Sequence, residues 1–260
     1  FSDFYVFIFS NKFLDKVNNI ILDSSLRVKG YRNSESFNES GEKFFIKEIL
    51  SNSNPKLCID IGASTGTFTI ELLKYTNAKI IAFEPIKSQF NKLKEKVNLY
   101  SDRVILENQG VGSNIGYQEL YFNPKVFDHA SFSSEINEIS FVSNDQKILT
   151  LVTTLDNYCL NNNITEIDFL KIDSEGYESE IFNGAESVFE NIKPKFIQIE
   201  YGRHQLIRQK SLRYFHKKLP DYDVFQLVPG GWKKRDSDDP YSNIFHYSNF
   251  VFVRSNYLEV

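Results

Sequence analysis

The fold is decided by residues 56–67, which read KLCIDIGASTGT: a short apolar run followed by a turn that contains two glycines. Because the run lies between Pro55 and Gly62, it predicts a short buried β-strand. Gly62 and Gly66 allow a tight turn and a close approach of the backbone to a ligand. Ser64 stands where a second glycine of the GxGxxG pattern would be, which argues against a pyrophosphate-binding loop.

Predicted strands and helices alternate outward from this stretch. We expect strands at residues 56–61, 79–83, 103–107, 168–172 and 195–200, with a final pair at 223–228 and 249–254. We expect helices at residues 67–75, 86–99, 155–161, 178–191 and 206–219. This alternation predicts an α/β fold in which a mostly parallel sheet carries helices on both faces. Residues 112–149 are expected to be irregular, with antiparallel pieces at 119–122 and 150–153.

The beginning of the chain differs from the rest. We interpret residues 1–40 as an N-terminal helical or irregular extension and residues 41–260 as one domain, which begins with a helix at 42–50 that packs on the sheet. The most apolar segment, residues 4–9 (FYVFIF), is too short to cross a membrane and lacks the features of a signal peptide. We therefore expect it to pack on the main domain.

Composition excludes several classes of protein. Hydrophobic residues make up 41% of the chain and charged residues 25%, so a sizeable core can form. The net charge of -4 gives no general attraction to nucleic acid. Cys58 and Cys159 belong to no CxxC or Cys/His cluster, which argues against structural zinc and a disulfide scaffold. Reduced thiols are typical of a cytoplasmic protein.

Polar residues follow the first three strands, where a parallel sheet binds its ligands. Glu84, followed by Pro85, ends the second strand about twenty residues after the glycine turn, where an acid can accept hydrogen bonds from a ribose. Polar groups after the third strand are placed to meet an adenine edge. Acids and amides without a phosphate cradle suit S-adenosylmethionine, whose ammonium and sulfonium favour carboxylates. The residues expected at this cofactor are Asp60, Gly62, Ala63, Ser64, Gly66, Thr67, Phe68, Glu84, Pro85, Asn108, Gln109, Gly110 and Asp173.

Three stretches make the chain similar to the FkbM family of class I methyltransferases. They are residues 58–66 (CIDIGASTG), 83–85 (FEP) and 167–178 (IDFLKIDSEGYE), and the likeness extends over about residues 42–203. The resemblance implies a Rossmann-like sheet of seven strands, the last one antiparallel. It also implies an S-adenosylmethionine-dependent O-methyltransferase that acts on a hydroxyl of a sugar or of a glycosylated metabolite.

Methyl transfer to oxygen requires an aligned acceptor and a group that takes its proton. Asp173, at the carboxyl end of the fourth strand, is the expected base or orienting group. The other candidate catalytic residues are Glu175, Glu200, His204 and His129. Asp173, Glu175 and Glu200 are also able to hold a divalent cation through oxygen ligands, although no spacing signature identifies a metal site.

Alternatives remain open at this point. The basic run 203–218 is either a solvated helix face or a site for an anionic acceptor, such as a nucleotide-linked or lipid-linked sugar. A non-catalytic nucleoside-binding or interaction module is one alternative function. An NAD-dependent oxidoreductase is another, and the spacing of the glycine turn argues against it.

Overall fold

A computed structural model describes residues 2–33, 36–255 and 257. The strands are β1 (Leu57–Ile61), β2 (Lys79–Phe83), β3 (Val104–Glu107), β4 (Gly110–Val111), β5 (Gly116–Asn123), β6 (Val126–Ser131), β7 (Gln146–Thr153), β8 (Phe169–Ile172), β9 (Phe196–Tyr201), β10 (Tyr222–Val228), β11 (Gly231–Arg235) and β12 (Ser248–Arg254).

The α-helices are α1 (Ser2–Phe9), α2 (Asp15–Val28), α3 (Glu42–Phe44), α4 (Thr67–Tyr75), α5 (Lys87–Lys96), α6 (Leu155–Asn161), α7 (Glu178–Asn183), α8 (Arg203–Ile207) and α9 (Leu212–Lys217). Two π-helical segments add to them, Phe45–Leu50 and Val188–Ile192. Short 3-10 segments are Ser51–Ser53, Asn98–Tyr100, Ser134–Glu138 and Pro240–Ser242.

The main sheet has the strand order β11-β10-β12-β9-β8-β1-β2-β3. The five strands from β9 to β3 are parallel, and β12, the last strand of the chain, is antiparallel to both of its neighbours. The expected count of seven strands is wrong, because β11 adds an eighth through a hairpin at Gly230 (φ +69°). Since β11 is an edge strand with three consecutive basic residues, no apolar pattern reveals it. Its Trp232 stacks on Phe225 at 4.5 Å between ring centroids.

The parallel strands are buried on both faces, as their apolar composition predicts. Ile59 and Ile61 of β1 contribute to the core on one face, under α6, α7 and α9. Cys58 faces the opposite core, formed with α4, α5 and the Phe45–Leu50 segment. Both cysteines are buried and unbonded to one another.

The region expected to be irregular forms a second sheet, and the antiparallel pieces expected at 119–122 and 150–153 lie within its strands β5 and β7, which pair with each other. Its four strands have the order β4-β7-β5-β6, and β4 is parallel to β7 while the other pairs are antiparallel. One face of this sheet packs on the molecule through residues such as Leu120, and the other leaves Leu149 and Leu151 exposed. This exposure of apolar side chains obscures the alternation that would reveal the strands.

Two predicted helices are each divided in the structure. The helix at 178–191 ends after α7 at Gly184, whose backbone lies so close to Gly112 that an added Cβ would be 2.0 Å from the Gly112 carbonyl oxygen. The helix at 206–219 is replaced by α8 and α9, with Gln209 at φ +54° between them. The helix at 42–50 forms as α3 and the π-helical segment that continues it.

The N-terminal helices lie on the surface. No residue of α1 is buried, so the expectation that residues 4–9 pack on the main domain is wrong. Tyr5 Oη donates to Asn18 Oδ1 at 2.7 Å, which joins α1 to α2. Beyond α2, Tyr31 is fully buried and its hydroxyl donates to the Tyr241 carbonyl at 2.7 Å. Within residues 2–33, 36–255 and 257, no helix combines the length and apolarity needed to cross a membrane.

Candidate active site

A cavity of about 230 Å³ lies at the carboxyl ends of β1, β2 and β8, next to β5 and β6 of the second sheet. This is the point beside β1 where the strand order reverses, at which open α/β sheets bind their ligands. It is lined by Ile61, Gly62, Ser64, Phe83, Glu84, Pro85, Ile86, Gln89, Gln109, Gly110, Val111, Leu120, Phe127, Asp128, Ala130, Phe132, Asp173, Ser174, Glu175 and Ile181.

The glycine turn after β1 is fixed by close backbone contacts. The amides of Gly62 and Ala63 both donate to the Phe83 carbonyl, at 3.1 and 2.9 Å. Gly62 has φ +84°, and a Cβ at this position would lie 1.7 Å from the Asp173 carbonyl oxygen. Only glycine fits here, and the contact brings the ends of β1 and β8 together.

Glu84 is held by backbone amides at the edge of the cavity. It is 5% exposed, and its two carboxyl oxygens accept from the amides of Ile86 at 2.7 Å and Ser64 at 2.9 Å. Each oxygen keeps a lone pair for a further donor. Burial raises the pKa of the Glu84 carboxyl to about 7. A hydroxyl that donates to this group would stabilise its charged form.

Seven of the thirteen residues expected at the cofactor line the cavity, namely Gly62, Ser64, Glu84, Pro85, Gln109, Gly110 and Asp173. Six do not line it, namely Asp60, Ala63, Gly66, Thr67, Phe68 and Asn108.

Those six residues hold the surrounding structure. Strand alternation turns Asp60 to the far face of β1, where its Oδ2 accepts from Thr69 Oγ1 at 2.6 Å. Asn108 donates to the carbonyls of Glu84 and Pro85, which links β3 to the end of β2. Phe68 packs in the core below the turn.

Gln89 was missed by the sequence analysis. This residue of α5 is 4% exposed and lines the cavity, and its Oε1 is buried without a hydrogen bond to any described residue. An unpaired buried acceptor is costly unless a ligand supplies a donor. A glutamine inside a charged amphipathic helix gave no signal that could have distinguished it from its surface neighbours.

Lys171 was also missed, although a lysine inside the apolar run DFLKI is a visible signal. It is 4% exposed, and its Nζ donates to Asp173 Oδ2 at 2.7 Å. Burial lowers the pKa of Lys171, but the carboxylates of Asp173, Asp60 and Glu42 outweigh burial and raise the pKa. Lys171 therefore stays charged and neutralises part of an acidic region.

The five candidate catalytic residues come together around the loop that follows β8. Carboxyl oxygens of Asp173, Glu175 and Glu200 lie within 4.8 Å of one another. Glu175 Oε2 lies 3.1 Å from His204 Nε2 and 3.6 Å from His129 Nδ1. Asp173 and Glu175 line the cavity itself, whereas the other three stand behind Glu175.

The pKa values in this group follow from burial and proximity. Burial raises the pKa of Glu175 to about 7, and burial together with the neighbouring carboxylates raises the pKa of Glu200 well above its usual range. The Glu175 carboxylate raises the pKa of His129, whereas burial lowers the pKa of His204 to about 4. His204 is therefore a neutral imidazole near pH 7, with a lone pair available.

Glu178 shapes the loop that carries Glu175. Its Oε1 accepts from the amides of Ser174 and Gly176, and its Oε2 accepts from Gln205 Nε2 at 2.8 Å. Gln205 lies beside His204 at the start of α8. Glu178 thus joins the loop after β8 to α8.

Three of the cations in the basic run 203–218 pair with carboxylates, namely Arg208, Arg213 and Lys218. Arg208 bonds to Glu135 and Glu180, Arg213 lies 3.0 Å from Asp238, and Lys218 lies 3.5 Å from Glu186. Arg203 packs over the Phe141 ring at 5.2 Å. These pairs reduce the positive potential that an anionic acceptor would meet.

The fold and the site define a Rossmann-like α/β protein that binds its ligand at the carboxyl ends of the parallel strands. The sequence model of the methyltransferase FkbM domain matches residues 60–222, more than half of the chain. The chain belongs to this family and is an S-adenosylmethionine-dependent methyltransferase. It is 24% identical over 199 residues to the 2-O-methyltransferase NoeI of Sinorhizobium fredii (strain NBRC 101917 / NGR234), covering 72% of this chain and 79% of that protein.

Two solved structures are among those to which this chain is similar. One is the O-methyltransferase from Bacillus cereus in complex with SAH, with a TM-score of 0.49 and 13% identity, covering 97% of this chain and 96% of the other. The other is the N-methyltransferase NodS from Bradyrhizobium japonicum WM9 in complex with S-adenosyl-L-homocysteine, with a TM-score of 0.43 and 9% identity, covering 86% and 91%.

Proposed function

We propose that this protein transfers a methyl group from S-adenosylmethionine to a hydroxyl of a sugar or of a glycosylated metabolite. The observation that carries the proposal is one cavity lined by two unlike groups of residues. Gly62, Ser64 and Glu84 follow β1 and β2 and form what we call the cofactor side, and Asp173 and Glu175 follow β8 and form the acceptor side. Residues 41–260 form the methyltransferase domain in this proposal, and residues 1–40 extend it.

The residues on the first side fit the cofactor. Glu84 has lone pairs for the two ribose hydroxyls, and the unpaired Gln89 Oε1 supplies a further acceptor at the same wall. Gln109, Gly110 and the apolar side chain of Phe132 would border the adenine. When bound, the cofactor supplies a methyl group on a positively charged sulfur.

The residues on the second side suit a hydroxyl acceptor. Lys171 occupies Asp173 Oδ2, so Asp173 Oδ1 is left to orient the hydroxyl and to take its proton as the oxygen bonds to carbon. The second sheet, through Phe127, Ala130 and Phe132, covers the cavity and limits the entry of water. Oxygen as the methylated atom is supported by the relative whose name describes 2-O-methylation, whereas a sugar as the acceptor rests on the resemblance to the FkbM family.

Calorimetric titration with S-adenosylhomocysteine, with NADH as the control ligand, tests the cofactor. We expect binding of S-adenosylhomocysteine alone. Glu84→Ala should weaken that binding by about tenfold or more, because the ribose loses a charged acceptor worth roughly 1.5–3 kcal/mol. Unchanged affinity in this variant would refute the placement of the ribose.

Turnover with radiolabelled S-adenosylmethionine and a panel of sugars tests the chemistry. Asp173→Asn should lower the rate by about 100-fold or more while S-adenosylhomocysteine affinity is kept, because general base catalysis contributes factors of that order. A normal rate would remove Asp173 from the mechanism. Cofactor binding without transfer to any hydroxyl compound would favour a non-catalytic module.

A further inference from the structure

Two buried polar atoms on the acceptor side of the cavity have no hydrogen-bond partner among the described residues. They are Glu175 Oε2 and His129 Nδ1, which face each other at 3.6 Å. His204 Nε2 lies 3.1 Å from the same Glu175 oxygen. Buried acceptors and ring nitrogens left without hydrogen bonds cost free energy, so their convergence requires an explanation.

The three atoms are arranged as ligands of one ion. His129 Nδ1, Glu175 Oε2 and His204 Nε2 all lie within 4.8 Å of one another. Ligands about 2.0–2.2 Å from a tetrahedral or octahedral metal are separated by about 3.0–3.6 Å along its edges. The two distances from Glu175, 3.1 and 3.6 Å, fall in this range.

The surrounding residues hold the three side chains in place. Glu175 has φ +51°, a left-handed conformation that a non-glycine residue adopts at a cost, and Glu178 fixes this loop through the Gly176 amide. Glu200 Oε1 lies 3.9 Å from His204 Nδ1, on the ring nitrogen that faces away from Glu175. A carboxylate behind a histidine is the usual support of a metal-binding imidazole.

The charges also favour a cation. Asp173, Glu175 and Glu200 meet at this point, and the one lysine beside them, Lys171, already pairs with Asp173. Arg208, the arginine next to the loop, bonds to Glu135 and Glu180 instead. Among the described residues, the carboxyl groups of Glu175 and Glu200 thus have no lysine or arginine as partner.

We propose that His129, Glu175 and His204 bind a divalent transition-metal ion, with Glu200 as the supporting carboxylate and Asp173 at the open side. Two imidazoles and one carboxylate favour zinc, manganese, iron or cobalt over magnesium or calcium, which prefer oxygen ligands. Of the three ligands, Glu175 is the one that lines the cavity, so the ion would lie at the edge of the acceptor pocket. There it would bind the acceptor hydroxyl and lower its pKa, a role that rests on the proposed methyl transfer.

Titration of the chelator-treated protein with cobalt chloride, followed by the visible d–d absorption of the ion, tests the binding. We expect one cobalt ion per chain. His204→Ala and Glu175→Gln should each weaken cobalt binding by more than about 100-fold, and Glu200→Gln by roughly 10- to 100-fold, as is usual for an outer carboxylate.

His246→Gln is the matched control, since it removes a half-buried histidine that is not part of the cluster. It should bind cobalt like the wild type. Absence of the absorption in the wild type, or equal affinity in His204→Ala, would overturn the proposal. A His129→Gln variant repeats the test on β6, in case the substitutions on the loop or on α8 unfold the protein.

The cobalt measurement needs neither cofactor nor acceptor. If cobalt binds as expected but no hydroxyl is methylated, the proposed function fails and the metal site stands. If methyl transfer occurs and no variant affects cobalt binding, the metal site fails and the proposed function stands.

Discussion

The two sides of the cavity are built in different ways. On the cofactor side, backbone groups make most of the contacts: the amides of Gly62, Ser64 and Ile86 bind a carbonyl or the Glu84 carboxylate. On the acceptor side, side chains with ionisable groups face one another, and Glu175 Oε2 has no hydrogen bond.

This difference predicts how amino-acid substitutions on each side affect the protein. Where backbone atoms are in contact there is no space for a new side chain, so substitutions on the cofactor side should destabilise the protein by displacing the backbone. A cluster of like charges depends on the groups that neutralise it, so substitutions on the acceptor side should destabilise the protein by leaving charges unpaired. The predictions below test this contrast from the largest expected effect to the smallest.

Gly62→Ala should produce the largest effect. The new Cβ would lie 1.7 Å from the Asp173 carbonyl oxygen, so β1 and β8 would have to separate. We expect a loss of more than about 5 kcal/mol in the free energy of unfolding, at the exceptional end for one substitution. Unfolding in denaturant measures this loss.

Gly230→Ala is the control, because Gly230 also has positive φ but an added Cβ there would have no neighbouring atom within 4 Å. This substitution should lower the free energy of unfolding by only about 1–2 kcal/mol. Equal losses would show that backbone conformation, not the close contact, matters.

Lys171→Met should be the next most damaging change. It removes the buried partner of Asp173 and leaves the carboxyl groups of Asp60 and Glu42 without a nearby cation. We expect a loss of about 3–5 kcal/mol in unfolding free energy. The exposed pair Lys147–Glu119 provides the control, and Lys147→Met should leave the melting temperature unchanged. A stable Lys171→Met protein would contradict the view that charge neutralisation holds the acceptor side together.

Glu84→Gln should have the smallest effect, limited to the strength of cofactor binding and its pH dependence. Burial raises the pKa of Glu84 to about 7, and ribose hydroxyls bind its ionised form more strongly. Wild-type affinity for S-adenosylhomocysteine should therefore fall as the pH drops through about 7, by up to about tenfold per pH unit. The glutamine variant should bind about tenfold more weakly above that pH and show no change across it. Calorimetric titration at several pH values measures both affinities. If the variant shows the same pH dependence as the wild type, the titrating group is not Glu84.

The parallel half of the fold could be predicted from the sequence because each of its strands is a short apolar run with clear boundaries. The run LCIDI ends at a glycine, and KIIAF ends at an acid followed by proline, so strand ends and polar groups coincide. For the same reason Gly62, Ser64 and Glu84 were found at the cavity. Asp60 was expected there too, but the alternation of β1 turns its side chain to the other face.

The rest of the structure depends on contacts that are distant in sequence. His129 lies on β6 and Glu175 lies after β8, and in the structure the two side chains are close together. Both residues were candidates, but their separation in the sequence does not predict that they meet. Gln89 faces the cavity only because α5 packs with that side inward. Only short pieces of β5 and β7 were expected and β6 was missed, because these strands have apolar residues on their exposed face. The edge strand β11 was missed because it is basic.

The pairing of β4 with β7 has a consequence for how such proteins diversify. Gly110 and Val111 lie next to Val152 and Thr153, so the excursion that covers the cavity leaves and returns to the main domain at a single place. Segments whose two ends are adjacent can be exchanged with little effect on the domain that carries them. Residues 112–151 therefore form a segment that recombination could exchange: its replacement would change the wall that covers the cavity, while the glycine turn and Glu84, which lie outside it, stay in place.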